Sequence, residues 1–201
     1  MNDYFYRYRP SSIYLASQSP RRREILEKMK IPFQVVSSSY HEKIFKGIEP
    51  EELVLRHALG KARKAEVPKS AQWILGADTM VFCRGKALGK PRHLKEALKM
   101  MKALSGQRHE VWTGVVLWDR ISDRLLTGCA QTYVWIKNLT EARILYYFNC
   151  VNPLDKAGAY AIQEGPKIVE RINGSYSNVV GLPKELLNKM LRSISLLKNK
   201  N

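Results

Sequence analysis

Apolar residues along the chain switch between short β-like runs and longer stretches at helical spacing. Ile13–Ala16 is a short apolar run, and Ser19-Pro20 behind it reads as an N-cap followed by proline at the first helical position. That pair predicts a helix reaching about Lys30. Phe33–Val36 is a second β-rich run, and Pro50-Glu51-Glu52 opens a longer helix to about Glu66, with its acids where the helix end carries partial positive charge. A strand begins at Trp73 and continues through Met80 to Phe82, with Arg84-Gly85-Lys86 as a hairpin turn. There follow a helix over Leu94–Leu104, two long alternating strands over Glu110–Trp118 and Leu125–Ile136, and a helix opened by Thr140. The short loop between the two long strands predicts antiparallel pairing. Gly158–Gly181 reads as a Gly-rich stretch, and Pro183 starts the last helix. The fold class expected is α/β, a mixed twisted sheet flanked by helices.

Composition narrows this picture. With 45% hydrophobic and 26% charged residues, the 201-residue chain is long enough to bury a sizeable core without staples. The expected organisation is an extension over residues 1–12, one domain over 13–197 and a basic tail over 198–201. Cys83, Cys129 and Cys150 lie far apart without a CxxC pair, which excludes a zinc ribbon and argues against a disulfide framework. No signal-peptide-like stretch and no run of about 18 apolar residues occurs, so a cytoplasmic protein without a membrane span is expected. The 34 Lys+Arg against 18 Asp+Glu give a net charge of +16, which suits nucleic acid, an anionic membrane or phosphorylated small molecules and does not choose among them. Lys184, Lys189, Arg192, Lys198 and Lys200 make a charge-rich final helix and tail whose simplest role is solvation.

Several residues break local rules. Ser17-Gln18-Ser19-Pro20-Arg21-Arg22-Arg23 puts three arginines in a first helical turn that favours acids. Either they point into water, or an anion binds the N–H groups, the hydroxyls of Ser17 and Ser19 and the guanidinium forks together. In the Pro50 helix, Val54, His57, Ala58, Lys61, Ala62 and Ala65 share one face, so Lys61 either snorkels from its edge or enters a polar cleft. Asp78 interrupts the apolar strand Ile74–Phe82. A buried carboxylate costs several kcal/mol unless paired or coordinated, and the small Gly76-Ala77 pair before it would let a ligand or metal approach the backbone. Gly89-Lys90-Pro91 places a lysine between two backbone constraints, with a solvated loop as the alternative. Asp155–Gln163 (DKAGAYAIQ) joins two charges and a turn to an apolar run ending in Gln163, whose amide can read both a donor and an acceptor on a base edge, with a loop that merely feeds a strand as the alternative. Trp112, Trp118, Tyr133 and Trp135 lie in strand patterns where core packing is expected.

Neither GxxxxGK[ST], GxGxxG, HExxH nor a nucleophile elbow occurs. Leu15–Arg22 (LASQSPRR), Lys61-Ala62, Gly76–Thr79 (GADT), Gly89–Pro91, Leu104–Gly106, Asp155–Gln163 and Ile172–Pro183 (INGSYSNVVGLP) appear in one order, and that ordered set resembles the Maf family of nucleotide pyrophosphatases. The resemblance implies a hydrolase that cleaves the α–β phosphoanhydride bond of a nucleoside triphosphate. It also implies two lobes around a long cleft, similar to inosine triphosphate pyrophosphatases, and a divalent cation, Mg²⁺ or Mn²⁺. By the same resemblance Asp78 is the general base, Glu42 joins it at the metal, Lys61 and Lys90 act in catalysis, and Ser17, Ser19, Arg21, Arg22, Thr79, Lys156 and Gln163 bind substrate. His41 stands where many relatives have a second acid. Arg21 after Ser19-Pro20, Thr79 after Asp78, and Gln163 match the branch acting on dTTP and UTP rather than on 7-methyl-GTP, and modified pyrimidine triphosphates that keep the same base edge, such as 5-methyl-UTP and pseudouridine triphosphate, are expected substrates as well. Removal of non-standard nucleotides, an effect on septum formation and a homodimer are further expectations. The rivals are a basic nucleic-acid-binding module and a non-catalytic protein acting in division; neither turns over nucleotides.

Overall fold

The longest apolar run of the first half, Trp73–Cys83, forms strand β3 and organises the molecule. The computed structural model describes residues 12–43 and 47–198. Residues 1–11, Lys200 and the end of the expected tail lie outside the described residues, as does the side chain of Lys198. Around β3 stand β1 (Ile13–Leu15), β2 (Phe33–Val35), β4 (Lys86–Leu88), β5 (Arg108–Asp119), β6 (Arg124–Ile136) and β7 (Val169–Asn173), in one seven-stranded mixed sheet of order β2-β1-β3-β5-β6-β7, with β4 paired to β3. β1 is parallel to β2 and β3, whereas β3–β5, β5–β6 and β6–β7 are antiparallel, as the short β5–β6 loop requires.

One edge of β3 changes partner midway. Trp73–Leu75 pair with β1 and Val81–Cys83 with β4, leaving Gly76–Met80 bonded only to β5. The sheet is thus open on that side where Asp78 sits.

Helices α1 (Pro20–Lys28), α2 (Pro50–Arg63), α3 (Leu94–Leu104), α4 (Glu141–Cys150), α5 (Tyr176–Val180) and α6 (Lys184–Lys198) cover the sheet. Helix α2 lies on the face carrying Ile74, Gly76, Asp78 and Met80, since alternate strand residues share a face. The core falls into clusters on either side of the Asp78-Thr79 pair. On the α2 face, Ile74 packs with Ala58 and Ala62, while Met80 and Phe82 pack with Leu53 and Val54. On the other face, Leu75 and Ala77 pack with Leu26, Leu187 and Met190, and Val81 packs with Met101, Ile144 and Tyr147.

Gly158–Gly181, read as a stretch without elements, contains a 3-10 turn (Ala157–Ala159), β7 and α5. Five-residue pieces are too short to show a period; α5 is held by the Asn178 amide, which donates to the Val111 carbonyl and the Thr132 hydroxyl. The aromatics expected in the core are half-buried instead: Arg63 lies over Trp118, Arg108 over Tyr133 and Arg171 over Trp135. Lys184, Lys189 and Arg192 are exposed. Among the described residues no helix is long and apolar enough to cross a membrane, and Cys83, Cys129 and Cys150 are free.

Candidate active site

Small residues build the site. An added Cβ on Gly76 would lie 2.1 Å from the Ala58 carbonyl oxygen, and one on Gly114 would lie 2.5 Å from the Val54 backbone. The ligand approach expected at Gly76 is therefore occupied by helix α2. Helical side chains lean toward their own N-terminus, so Lys61 reaches back along the sheet, and its Nζ stands 2.5 Å from Asp78 Oδ1 and 2.6 Å from Glu42 Oε1. Of the two readings of Lys61, the structure shows the polar cleft.

Glu42 arrives on a loop pinned along α2. The Ser38 hydroxyl donates to the Lys61 carbonyl, the Ser39 N–H donates to the Lys64 carbonyl, and Tyr40 shares a hydrogen bond with His57 Nδ1 at 3.0 Å. Burial would raise the Glu42 carboxyl, but Lys61, with a smaller contribution from Lys90, holds it below the usual carboxylate range. Asp78 is 3% exposed, and its Oδ2 has no hydrogen-bond partner. His41 is exposed and outside this cluster.

Beyond Thr79 a second polar network fills the opposite face. Arg22, also buried, donates from Nε to the Gly181 carbonyl, from Nη1 to Ser17 Oγ and from Nη2 to Thr79 Oγ1. Burial pulls its pKa below the ordinary arginine value, against the raising effect of Asp78 and Glu42. Three of its five N–H groups are thereby used and two remain. Thr79 Oγ1 also meets Thr113 Oγ1 at 3.0 Å and the Gly181 carbonyl at 3.4 Å. Its hydroxyl is saturated within the protein. Ser19, expected to cap α1, makes no side-chain cap bond; its N–H donates to Ser17 Oγ.

The third group of side chains lies at the mouth. Arg21 pairs with Asp155 at 3.2 Å and Glu164 at 3.5 Å, while Arg23 points into water. Lys156 spends all three donors, on the Asn152 carbonyl, Asp155 Oδ1 and Glu164 Oε2. Burial would raise the Asp155 carboxyl; Lys156 and Arg21 outweigh it and lower its pKa. Gln163 is exposed on the loop after the 3-10 turn and donates to Glu164 Oε1 at 3.1 Å. Lys90 is exposed beside Gly89, whose carbonyl accepts from the Gly158 N–H.

Ser19, Arg21, Arg22, Glu42, Lys61, Asp78, Thr79, Lys90, Lys156 and Gln163 all line one cleft, and Ser17 lines the hollow that adjoins it. Glu164, Gly181, Asn178 and Tyr40 were missed as contributors. Each acts through a contact distant in sequence, Glu164 through its pairing with Arg21.

Among the described residues, no three His, Cys, Asp or Glu side chains are grouped so as to hold a metal. Two hard carboxylates with one orphaned buried oxygen do fit a cation that completes its shell with substrate phosphates, the usual manner of Mg²⁺.

A mixed sheet opened at one buried carboxylate, with Arg21, Arg22, Lys61, Lys90 and Lys156 lining the opening, gives a cationic cleft of the charge that suits a phosphorylated anion. The Maf family, described as Maf-like protein, matches residues 12–194, and the chain belongs to that family. A dTTP/UTP pyrophosphatase of Citrifermentans bemidjiense is 46% identical over 190 residues, covering 94% of this chain and 98% of its own length. The dTTP/UTP pyrophosphatase of Methanosarcina barkeri is 43% identical over 182 residues, 90% of this chain and 92% of its own. That of Caldicellulosiruptor bescii is 41% identical over 187 residues, 90% and 94%.

Proposed function

We propose that this protein hydrolyses the α–β phosphoanhydride bond of dTTP and UTP, releasing the nucleoside monophosphate and pyrophosphate. The observation that carries the reading is Asp78: a buried carboxylate, one oxygen held by Lys61 and the other without a partner, at the floor of a cationic cleft. The activity of the relatives supports the substrate class.

In this reading Asp78 takes the proton of a water whose oxygen attacks the α-phosphorus, and the bridging P–O bond breaks as pyrophosphate leaves. Lys61 holds the carboxylate in place and, with Lys90, offsets phosphate charge. Arg22 directs its two remaining N–H groups at the phosphates; Ser17 and Thr79 contribute by fixing it. Ser19 and the open first turn of α1 add donors. Arg21 and Lys156, released in part from Asp155, bind the outer phosphates or the base edge, and Gln163 reads that edge. Asp78 and Glu42 would hold Mg²⁺ or Mn²⁺, which would supply charge neutralisation on the substrate phosphates.

The test is pyrophosphate release from dTTP, UTP and 7-methyl-GTP with Mg²⁺ or Mn²⁺. The reading expects turnover with the first two, falling about 10²–10⁴-fold in a folded Asp78→Asn protein. No turnover, preference for 7-methyl-GTP, or a near-wild-type Asp78→Asn rate would overturn it.

A further inference from the structure

Gln163 closes the apolar run of the cleft's loop, and the residue after it governs what its amide offers. We propose that Glu164 fixes the orientation of the Gln163 amide and so sets which pyrimidine the site accepts. The inference rests on the reading above in which Gln163 contacts the base.

An ionised carboxylate only accepts hydrogen bonds. The Gln163 Nε2 donates one of its two N–H groups to Glu164 Oε1 at 3.1 Å, so the amide is held with its –NH₂ end on Glu164 and its carbonyl Oε1 at the opposite end, open to a ligand. A carbonyl accepts. Uracil and thymine carry N3–H, a donor, whereas cytosine has a bare acceptor nitrogen at that place. With the amide fixed, Gln163 matches the first two and sets acceptor against acceptor with the third, leaving polar groups unpaired. A freely rotating amide would serve all three.

Glu164 is itself anchored. Its Oε2 is 3.0 Å from Lys156 Nζ and its Oε1 is 3.5 Å from Arg21 Nη1. The Lys156 side chain is only 5% exposed, with its other donors on the Asn152 carbonyl and Asp155, so the anchor does not swing. The backbone is held as well: fully buried Tyr147 on α4 donates to the Ala161 carbonyl at 3.1 Å and accepts from the Ala161 N–H at 2.9 Å, two residues before Gln163. Glu164 acts through Gln163 and is a positioning residue.

The experiment is Glu164→Gln in the full chain, with kcat/KM measured for UTP and CTP in Mg²⁺. A glutamine at 164 donates or accepts, so the Gln163 amide turns freely, and the UTP-over-CTP ratio is expected to fall roughly tenfold, chiefly in KM. Loss of a negative charge beside Arg21 and Lys156 shifts both nucleotides alike and cancels in the ratio. In a Gln163→Leu background, Glu164→Gln should leave the ratio unchanged. Calorimetric binding of UMP against CMP gives the same comparison without turnover. An unchanged ratio in Glu164→Gln, an equal fall in the Gln163→Leu background, or a wild-type protein indifferent to UTP and CTP overturns the inference. Absence of pyrophosphate release from UTP and dTTP refutes the proposed function instead.

Discussion

Lys61 is the single cation between two carboxylates, and Lys61→Met keeps most of its length while removing the charge. Asp78 is 3% exposed and already has one oxygen without a partner. Without Lys61 it loses its hydrogen-bonded countercharge and keeps only the longer-range attraction of Arg22, and breaking such a pair by deleting one partner costs up to about 3–5 kcal/mol. Glu42, with its side chain 42% exposed, is rehydrated and adds little. At about 2–4 °C per kcal/mol for a chain of this size, the melting midpoint should fall by up to about 6–20 °C. Replacing Asp78 as well, in Lys61→Met/Asp78→Asn, removes the stranded charge and should restore at least half of the loss, a coupling that a double-mutant cycle reads directly. If the two carboxylates also hold a divalent cation, Mg²⁺ or Mn²⁺ should raise the midpoint of Lys61→Met more than that of the wild type, because the cation replaces the missing ammonium. The assays are thermal unfolding with and without metal, alongside pyrophosphate release. A Lys61→Met protein melting within about 2 °C of wild type, or one whose double variant is no more stable than the single, would refute the charge-compensation argument.

Buried His109, bonded to the Tyr160 hydroxyl at 2.7 Å, is pushed down by burial to about 4. The unfolded chain takes up this proton near pH 6.5 and the folded one only near 4, so the stability is complete above 6.5 and is lost as pH falls toward 4. The loss is about 3 kcal/mol, seen as a slope in urea unfolding between pH 6.5 and 5 that His109→Gln should flatten. Burial, followed by its hydrogen bond to Glu51, pushes the Cys129 thiol up to about 12; iodoacetamide at pH 8 should therefore label exposed Cys150 and spare Cys129, as peptide mass spectrometry reads. Gly114→Ala drives a Cβ into the Val54 backbone and lifts α2, so it should cost about 1–3 kcal/mol and lower turnover with it, since α2 carries Lys61.

Much of this site was legible because its residues violate local preferences. An aspartate inside Ile74–Phe82 and arginines in a helix's first turn are expensive without partners, and the structure supplies the partners. The long strands and α3 were readable because ten or more residues display a period. What escaped has a common cause. β7 and α5 are five-residue pieces fixed by contacts with β5 and β6, and a five-residue window carries no period. The half-buried tryptophans alternate correctly for a strand; that arginines from other elements cover them is set by tertiary contact alone. Thr79 is expected to bind substrate, and its neighbours were invisible in sequence: Arg22 is 57 residues away and Gly181 is 102.

Asp78 and Thr79 also explain how one strand supports two polar networks without losing the core. Successive strand residues face opposite sides, so Asp78 meets Lys61 and Glu42 above the sheet while Thr79 meets Arg22 and Thr113 below it. Each network lies between two apolar clusters rather than inside one, and the open β3 edge over Gly76–Met80 gives both access to the same cleft. A continuous β1 or β4 along that edge would pair the backbone and close the opening. Shortening both strands leaves backbone groups of β3 to the cleft, and a carboxylate and a guanidinium from opposite faces line that one cleft across the width of a single strand.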